Sequence, residues 1–313
     1  MVLILPLVAC ACSGQSGSEV SGPTLGFVWD PAARLIRPIA GVAGAAFLAT
    51  PMELGFAVRS AVVSPRQDFA LVLPEADSAL KLVRLRDRVA DVRTVEGALP
   101  DPDGILFSPS GTAAALYAEA TGAIQVITGL PDRNVIRRET TLANPEESLR
   151  VMALSDDGEL LLTGARMLGP EPGFRELPVG GPVSALAFRP QSHDLLIATP
   201  ESILLVRDVD TAAQFQVVDP AAGAVALAFS TDGKRGFAVH AAEGAITVFR
   251  LDQGTSTRIA CRTSPRVLQA LRGNDVFRLN EISEGPLWLL DAGEVDARVW
   301  FVPPATSDAG GAQ

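Results

Sequence analysis

Six times along the chain an apolar run, a short polar turn and a second apolar run follow one another. The copies are "SAVVSPRQDFALV" (60–72), "GILFSPSGTAAALY" (104–117), "RVMALSDDGELLLT" (150–163), "SALAFRPQSHDLLIA" (184–198), "VALAFSTDGKRGFAV" (225–239) and the weaker "VLQALRGNDVFRLN" (267–280). The residues that close each first run are Ser64, Ser108, Ser155, Arg189, Ser230 and Arg272, spaced by 44, 47, 34, 41 and 42. Helical repeats of that period would carry a 3.6-residue apolar rhythm over ten or more positions, and none does. Two short strands around a tight turn, recurring about every forty residues, predict the inner half of a β-propeller blade.

The outer half of each unit follows the same rule. After a polar link comes a third apolar run: "ALKLVRL" (79–85), "GAIQVIT" (122–128), "SILLVRD" (202–208), "AITVFRLD" (245–252) and "PLWLLD" (286–291). A fourth, less regular strand closes the unit, as in "VDARVWFVP" (295–303). Runs such as "FALVL" (69–73) are apolar on both faces, as strands sandwiched between neighbouring blades must be. In the third unit "GARMLGPEPGFRELPVGG" (164–181) puts a Pro/Gly-rich loop where strand three belongs. The fold class expected is all-β, a propeller of four-stranded antiparallel blades. Seven blades are expected, the irregular one built from 25–58, with six blades plus an N-terminal extension as the alternative.

The Ser-Pro and Asp-Gly turns in "FSPSG" and "LSDDG", and the Asp that ends strand three at Asp208, Asp252 and Asp291, resemble bacterial propellers of the WD-repeat and YVTN-repeat type. "VWD" (28–30) reads as the same ending of a strand three near the N-terminus. The likeness spans about residues 25–303. The His and Trp of the full WD-repeat hydrogen-bond network are missing from most units. The resemblance implies a fold and leaves the function open.

Composition narrows the classes. Of 313 residues 48% are hydrophobic, and 26 Lys plus Arg face 36 Asp plus Glu, a net charge of −10. No basic run occurs, so no nucleic-acid partner is expected. With Cys10, Cys12 and Cys261 the only cysteines, no disulfide framework is expected, and Cys261 reads as a buried thiol. The opening "MVLILPLVACACSGQSGSEVSGPT" sets an apolar run against a Ser/Gly-rich stretch, the outline of a secretory signal. Leu7-Val8-Ala9-Cys10 resembles the lipobox of bacterial lipoprotein signals, although only nine residues precede Cys10 and none is Lys or Arg. That resemblance implies a lipid on Cys10 and, with Ala11 rather than Asp following, the outer membrane. The expected organisation is an atypically short signal at 1–9, a tether at 10–24, the propeller at 25–303 and a tail at 304–313. The chain is expected to be exported and monomeric, and to touch the membrane only through its lipid anchor.

Candidate chemistry is sparse. His193 and His240 fall on turns at opposite faces of a propeller and read as surface side chains that share no metal or substrate. "DPDG" (101–104) and "DVD" (208–210) alternate Asp as calcium loops do, but lack the distal Glu and read as turns. No nucleophile elbow, zinc-protease motif or P-loop occurs. No catalytic residue, cofactor or metal is therefore expected. The links between strands two and three (74–79, 118–122, 199–202, 240–244, 280–285) hold Glu75, Asp77, Glu119, Glu201, Glu243, Glu281 and Glu284 and no base. The opposite turns of those units hold Asp68, Asp194, Asp232 and Asp275 against Arg66, Arg189, Lys234, Arg235 and Arg272. One face thus carries a one-signed rim suited to steering an envelope protein or a cationic ligand. The function expected is a non-catalytic, membrane-tethered binding module of the bacterial envelope. A lactonase-like hydrolase with carboxylates at the channel mouth and an envelope assembly scaffold are the alternatives.

Overall fold

A computed structural model describes residues 22–304 except 87–90, 143–148, 172, 221–222, 283–284 and 294–295. The expected signal and most of the tether and tail lie outside the described residues. Seven antiparallel sheets follow one another along the chain as the blades of a β-propeller. The first has three strands, β1 (Thr24–Asp30), β2 (Leu35–Val42) and β3 (Ala45–Leu48), and the other six have four each. Blades 2 to 7 begin with the inner strands Val58–Val63, Gly104–Phe107, Met152–Leu154, Ala185–Phe188, Ala226–Phe229 and Gln269–Ala270. No helix of the described residues is long and apolar enough to cross a membrane.

The apolar rhythm sets the layers. The second strand of blade 2, Phe69–Pro74, is buried at all six positions, whereas the outermost strand of blade 6, Thr255–Ala260, is exposed at all but one. Clusters of buried side chains fill each space between adjacent blades. Phe69, Leu71 and Leu82 of blade 2, for example, pack on Ala114 and Leu116 of blade 3.

The repeated turn is held by one device. Ser64, Ser108, Ser155 and Ser230 are fully buried, and the carbonyl of each accepts the N–H three residues on. Three of these hydroxyls also accept an N–H from the returning strand, that of Ala113, Leu160 or Arg235. The residue three after the serine takes a left-handed backbone, at φ 70°, 71° and 68° for Gly111, Gly158 and Gly233. In blade 2 that position is Gln67, at φ 59°.

Three sequence expectations need correction. Strand three of blade 4 is not replaced by loop: Arg166–Leu168 and Phe174–Glu176 both form, three residues each, in the gaps the Pro and Gly residues leave. The alternation in "VALAF" predicts that Val225 is buried on one face with Leu227 and Phe229; Leu227 and Phe229 are, but Val225 is exposed because it precedes the inner strand of blade 6. "VWD" ends the strand in second position, not third. The β1–β2 turn lies on the face of the second links, where Arg34 pairs with Glu75. Among the described residues blade 1 therefore has no innermost strand. The inner strands of blades 2 and 7 meet across the gap instead, where Gln269 Nε2 donates to the Val63 carbonyl and Gln67 Nε2 to that of Ala270.

Candidate functional site

Six inner strands, and none from the described part of blade 1, enclose a central cavity of about 990 Å³. Each inner strand pairs outward only, so its second edge faces the axis. The wall is mainly apolar, with Val62, Leu106, Met152, Leu186, Ala228 and Ala270 contributing one per blade. At the face of the first turns the lining becomes polar, with Arg66, Ser110, Asp156, Gln191, Thr231 and Asp275.

Two carboxylates line this mouth, and both hold turns together. Asp156, in the turn of blade 4, accepts from the Ser110 N–H and hydroxyl of blade 3, each at 2.7 Å, through Oδ1. Its Oδ2 accepts the Gln191 N–H of blade 5 at 2.8 Å. Asp275 of blade 7 takes the Thr231 N–H at 2.9 Å on one oxygen and the Arg235 guanidinium of blade 6 on the other. Arg272 donates to the Gln67 carbonyl at 2.7 Å and lies 5.2 Å over the Phe27 ring. Cross-blade bonds at the mouth thus join blades 3, 4 and 5, and blades 6, 7 and 2, around an apolar well.

His193 is not a lone surface side chain. Its Nδ1 lies 2.8 Å from Asp210 Oδ2 and its Nε2 2.9 Å from Asp157 Oδ2, which ties the turns of blades 4 and 5. Burial works against the imidazolium, but the hydrogen bonds and charges of Asp210 and Asp157 outweigh it and raise the His193 pKa. Burial likewise opposes the Asp157 carboxylate, yet hydrogen bonds from Ser155, the Glu159 N–H and His193 hold its pKa below the ordinary value. A raised histidine pKa gives stability that is complete below the unfolded value, about 6.5, and is lost as pH rises through the folded one. The carboxylate does the reverse, and its share is lost as pH falls. His193→Gln should therefore lower stability by about 0.5–1 kcal/mol near pH 6 and by less at pH 9. Thermal melts of both proteins across that range check this, and a pH-independent difference would refute it.

His240 also departs from expectation. It is buried at the end of its strand, with Nε2 3.1 Å from Thr247 Oγ1 and no partner for Nδ1. Cys261 is half-buried, and burial raises its thiol pKa. Among the described residues no group of three or more His, Cys, Asp and Glu side chains is placed to hold a metal ion.

The acidic rim lies on the face opposite the polar mouth, and none of its described members lines the cavity. Glu75 pairs with Arg34, Asp77 with Lys81 at 3.1 Å, Glu243 with Arg258, and Glu281 with Arg278 at 2.6 Å. The Ala79 N–H and Lys81 hold the Asp77 pKa down. The Glu119 N–H donates to Asp103 and that of Glu201 to Thr199 Oγ1. Glu284 and Cys10 lie outside the described residues. The links themselves contain no base, but the adjacent strands and blade 1 supply four. Gln67 and Asp156 were not singled out by sequence reasoning. Gln67 carries a signal, a Gln where the repeat writes Gly.

No family model and no curated sequence matches the chain. Solved structures do. A functionally unknown protein from Desulfotomaculum acetoxidans DSM 771 aligns with 90% of this chain and 100% of its own, at 13% identity and a TM-score of 0.57. A chain of a mitotic checkpoint complex aligns over 97% and 99%, at 14% identity and 0.53. Apo AztD from Citrobacter koseri aligns over 90% and 94%, at 11% identity and 0.52. At these identities the likeness is one of fold.

Proposed function

We propose that the chain is a non-catalytic β-propeller that binds a partner in the bacterial cell envelope, held there by a lipid on Cys10. The observation that carries this reading is the state of the channel mouth. Both carboxylates that line it, Asp156 and Asp275, have their two oxygens engaged by neighbouring turns. A hydrolase needs a carboxylate whose lone pairs are open to a substrate or water. Groups already used as acceptors between blades support a rigid presenting surface instead.

The partner is an envelope protein or a cationic ligand met on the face of the second links. Four of the rim acids hold cations of the chain itself, so the attraction falls chiefly to Glu119 and Glu201. Outer-membrane anchoring follows from Cys10 and Ala11 by the lipobox resemblance.

Crosslinked capture from native envelope, read by mass spectrometry, tests the proposal in one experiment. The expected result is an acylated N-terminal Cys10 and a partner lost from the capture by Glu119→Lys with Glu201→Lys. An unmodified Cys10 with residues 1–9 still attached ends the tether. Substrate turnover abolished by Asp156→Asn or Asp275→Asn in a refolding-competent protein would replace the binding reading with a hydrolase.

A further inference from the structure

The outermost strand of a blade faces water and is normally its most polar. Blades 2 to 7 each carry at least one charged residue there, Asp91, Arg137, Arg175, Asp219, Arg258 and Arg298 being examples, beside exposed apolar side chains such as Val135, Val217 and Phe301. Blade 1 does not. No charged residue lies between Arg37 and Glu53, a stretch that contains most of β2 and all of β3. Its sequence, "PIAGVAGAAFLATPM", would suit a core, yet Val42 is 53% and Phe47 56% exposed.

The register gathers these residues on one side. Val42 stands opposite Ala45 and Ala40 opposite Phe47, so the four side chains share a face of the hairpin. Ile39, Ala46 and Leu48 point the other way, into the packing against blade 7. Among the described strands β3 is also an edge, which soluble proteins usually guard with charge, and its sequence has none.

The N-terminal segment leaves the fold at this hairpin. The Gly41 N–H donates to the Pro23 carbonyl at 2.7 Å, and Thr24 pairs with Ala40. Cys10 lies twelve residues before Gly22, a reach of at most ~40 Å for an extended chain. A lipid on Cys10 would therefore keep the bilayer within ~40 Å of the edge from which the uncharged hairpin projects.

We infer that the exposed face of the β2–β3 hairpin, centred on Val42 and Phe47, rests in the interfacial layer of the membrane and orients the propeller on it. The occupant rests on the Cys10 tether proposed above. A lipid surface accepts apolar side chains without requiring a matching partner, and an uncharged edge loses no ion hydration on entering it. The net charge of −10 favours a zwitterionic surface over an anionic one.

The test uses the full chain with Cys10→Ser and vesicles of phosphatidylcholine and phosphatidylethanolamine. The unacylated protein should float with the vesicles, and Phe47→Ser with Val42→Ser should lower the bound fraction about tenfold or more. Phe301→Ser, at a site 59% exposed on blade 7, should leave it unchanged. Amide exchange over 39–48 should slow when vesicles are added. Equal flotation of all three variants with unchanged exchange in the hairpin overturns the inference, as does an equal loss with Phe301→Ser. A dimer dissociated by Phe47→Ser, without vesicle protection, also overturns it and gives the face to a second copy. An acylated native Cys10 beside a negative vesicle result leaves the tether standing and removes the hairpin. An unmodified Cys10 beside a positive one does the opposite.

Discussion

Phe229→Ala is expected to lower the unfolding free energy by about 3–5 kcal/mol, measured by urea denaturation. Phe229 ends the inner strand of blade 6 and is 7% exposed. It packs with Ala185, Leu196 and Leu205 of blade 5 and with Leu227, Ala238 and Phe249 of its own blade. The strands on either side are fixed by their ladders, so the space left by the ring cannot close. A cavity penalty then adds to the lost transfer energy, which puts the cost at the high end for a single core truncation. A change below about 1 kcal/mol would mean that the ring is not wedged between blades.

The placement of Phe229 was legible because it depends on period alone. An alternation of two, repeated about every forty residues around a turn with Gly at a fixed place, specifies strands, faces and blades together. The left-handed backbone at Gly233 follows from the same phrase. The short strands of blade 4 were not legible, since three residues flanked by Pro and Gly carry no periodicity, and their pairing comes from the blades beside them.

The polar sites were harder for a different reason. Counting charge in the second links finds the acids correctly. It misses Arg34, which reaches Glu75 from another blade 41 residues away, and Arg258, 15 residues from Glu243 across the hairpin. His193 looked isolated because Asp157 and Asp210 are 36 and 17 residues distant. In a propeller, turns from successive blades are neighbours in space at separations of about one repeat. A charge tally of one link therefore omits most of the partners it meets.

Gln67 is the residue where a broken repeat could have been read as meaning. It occupies the Gly position of the Ser-x-x-Gly turn, and a side chain there holds a left-handed backbone at a cost of about 1 kcal/mol. What offsets that cost lies at blade 1, whose described strands do not reach the axis. Fully buried, Gln67 Oε1 accepts the Phe27 N–H at 2.6 Å and Nε2 donates to the Ala270 carbonyl at 2.8 Å, so one amide joins blades 1, 2 and 7. Gly26 leaves room for it, since a Cβ at that position would come within 2.7 Å of Oε1. Gln67→Ala keeps the strained backbone and strands the buried Phe27 N–H, worth about 1–3 kcal/mol when unpaired, and the partly buried Ala270 carbonyl, worth less because it borders the cavity. The expected loss is about 2–4 kcal/mol. Gln67→Gly relieves the backbone but still strands both groups, and should be less harmful than Ala by about 1 kcal/mol while remaining below the wild type. Denaturant titration of the three proteins decides it. Gln67→Gly as stable as the wild type would mean that the ring closes without this amide, and that the two inner strands hold each other across the gap unaided.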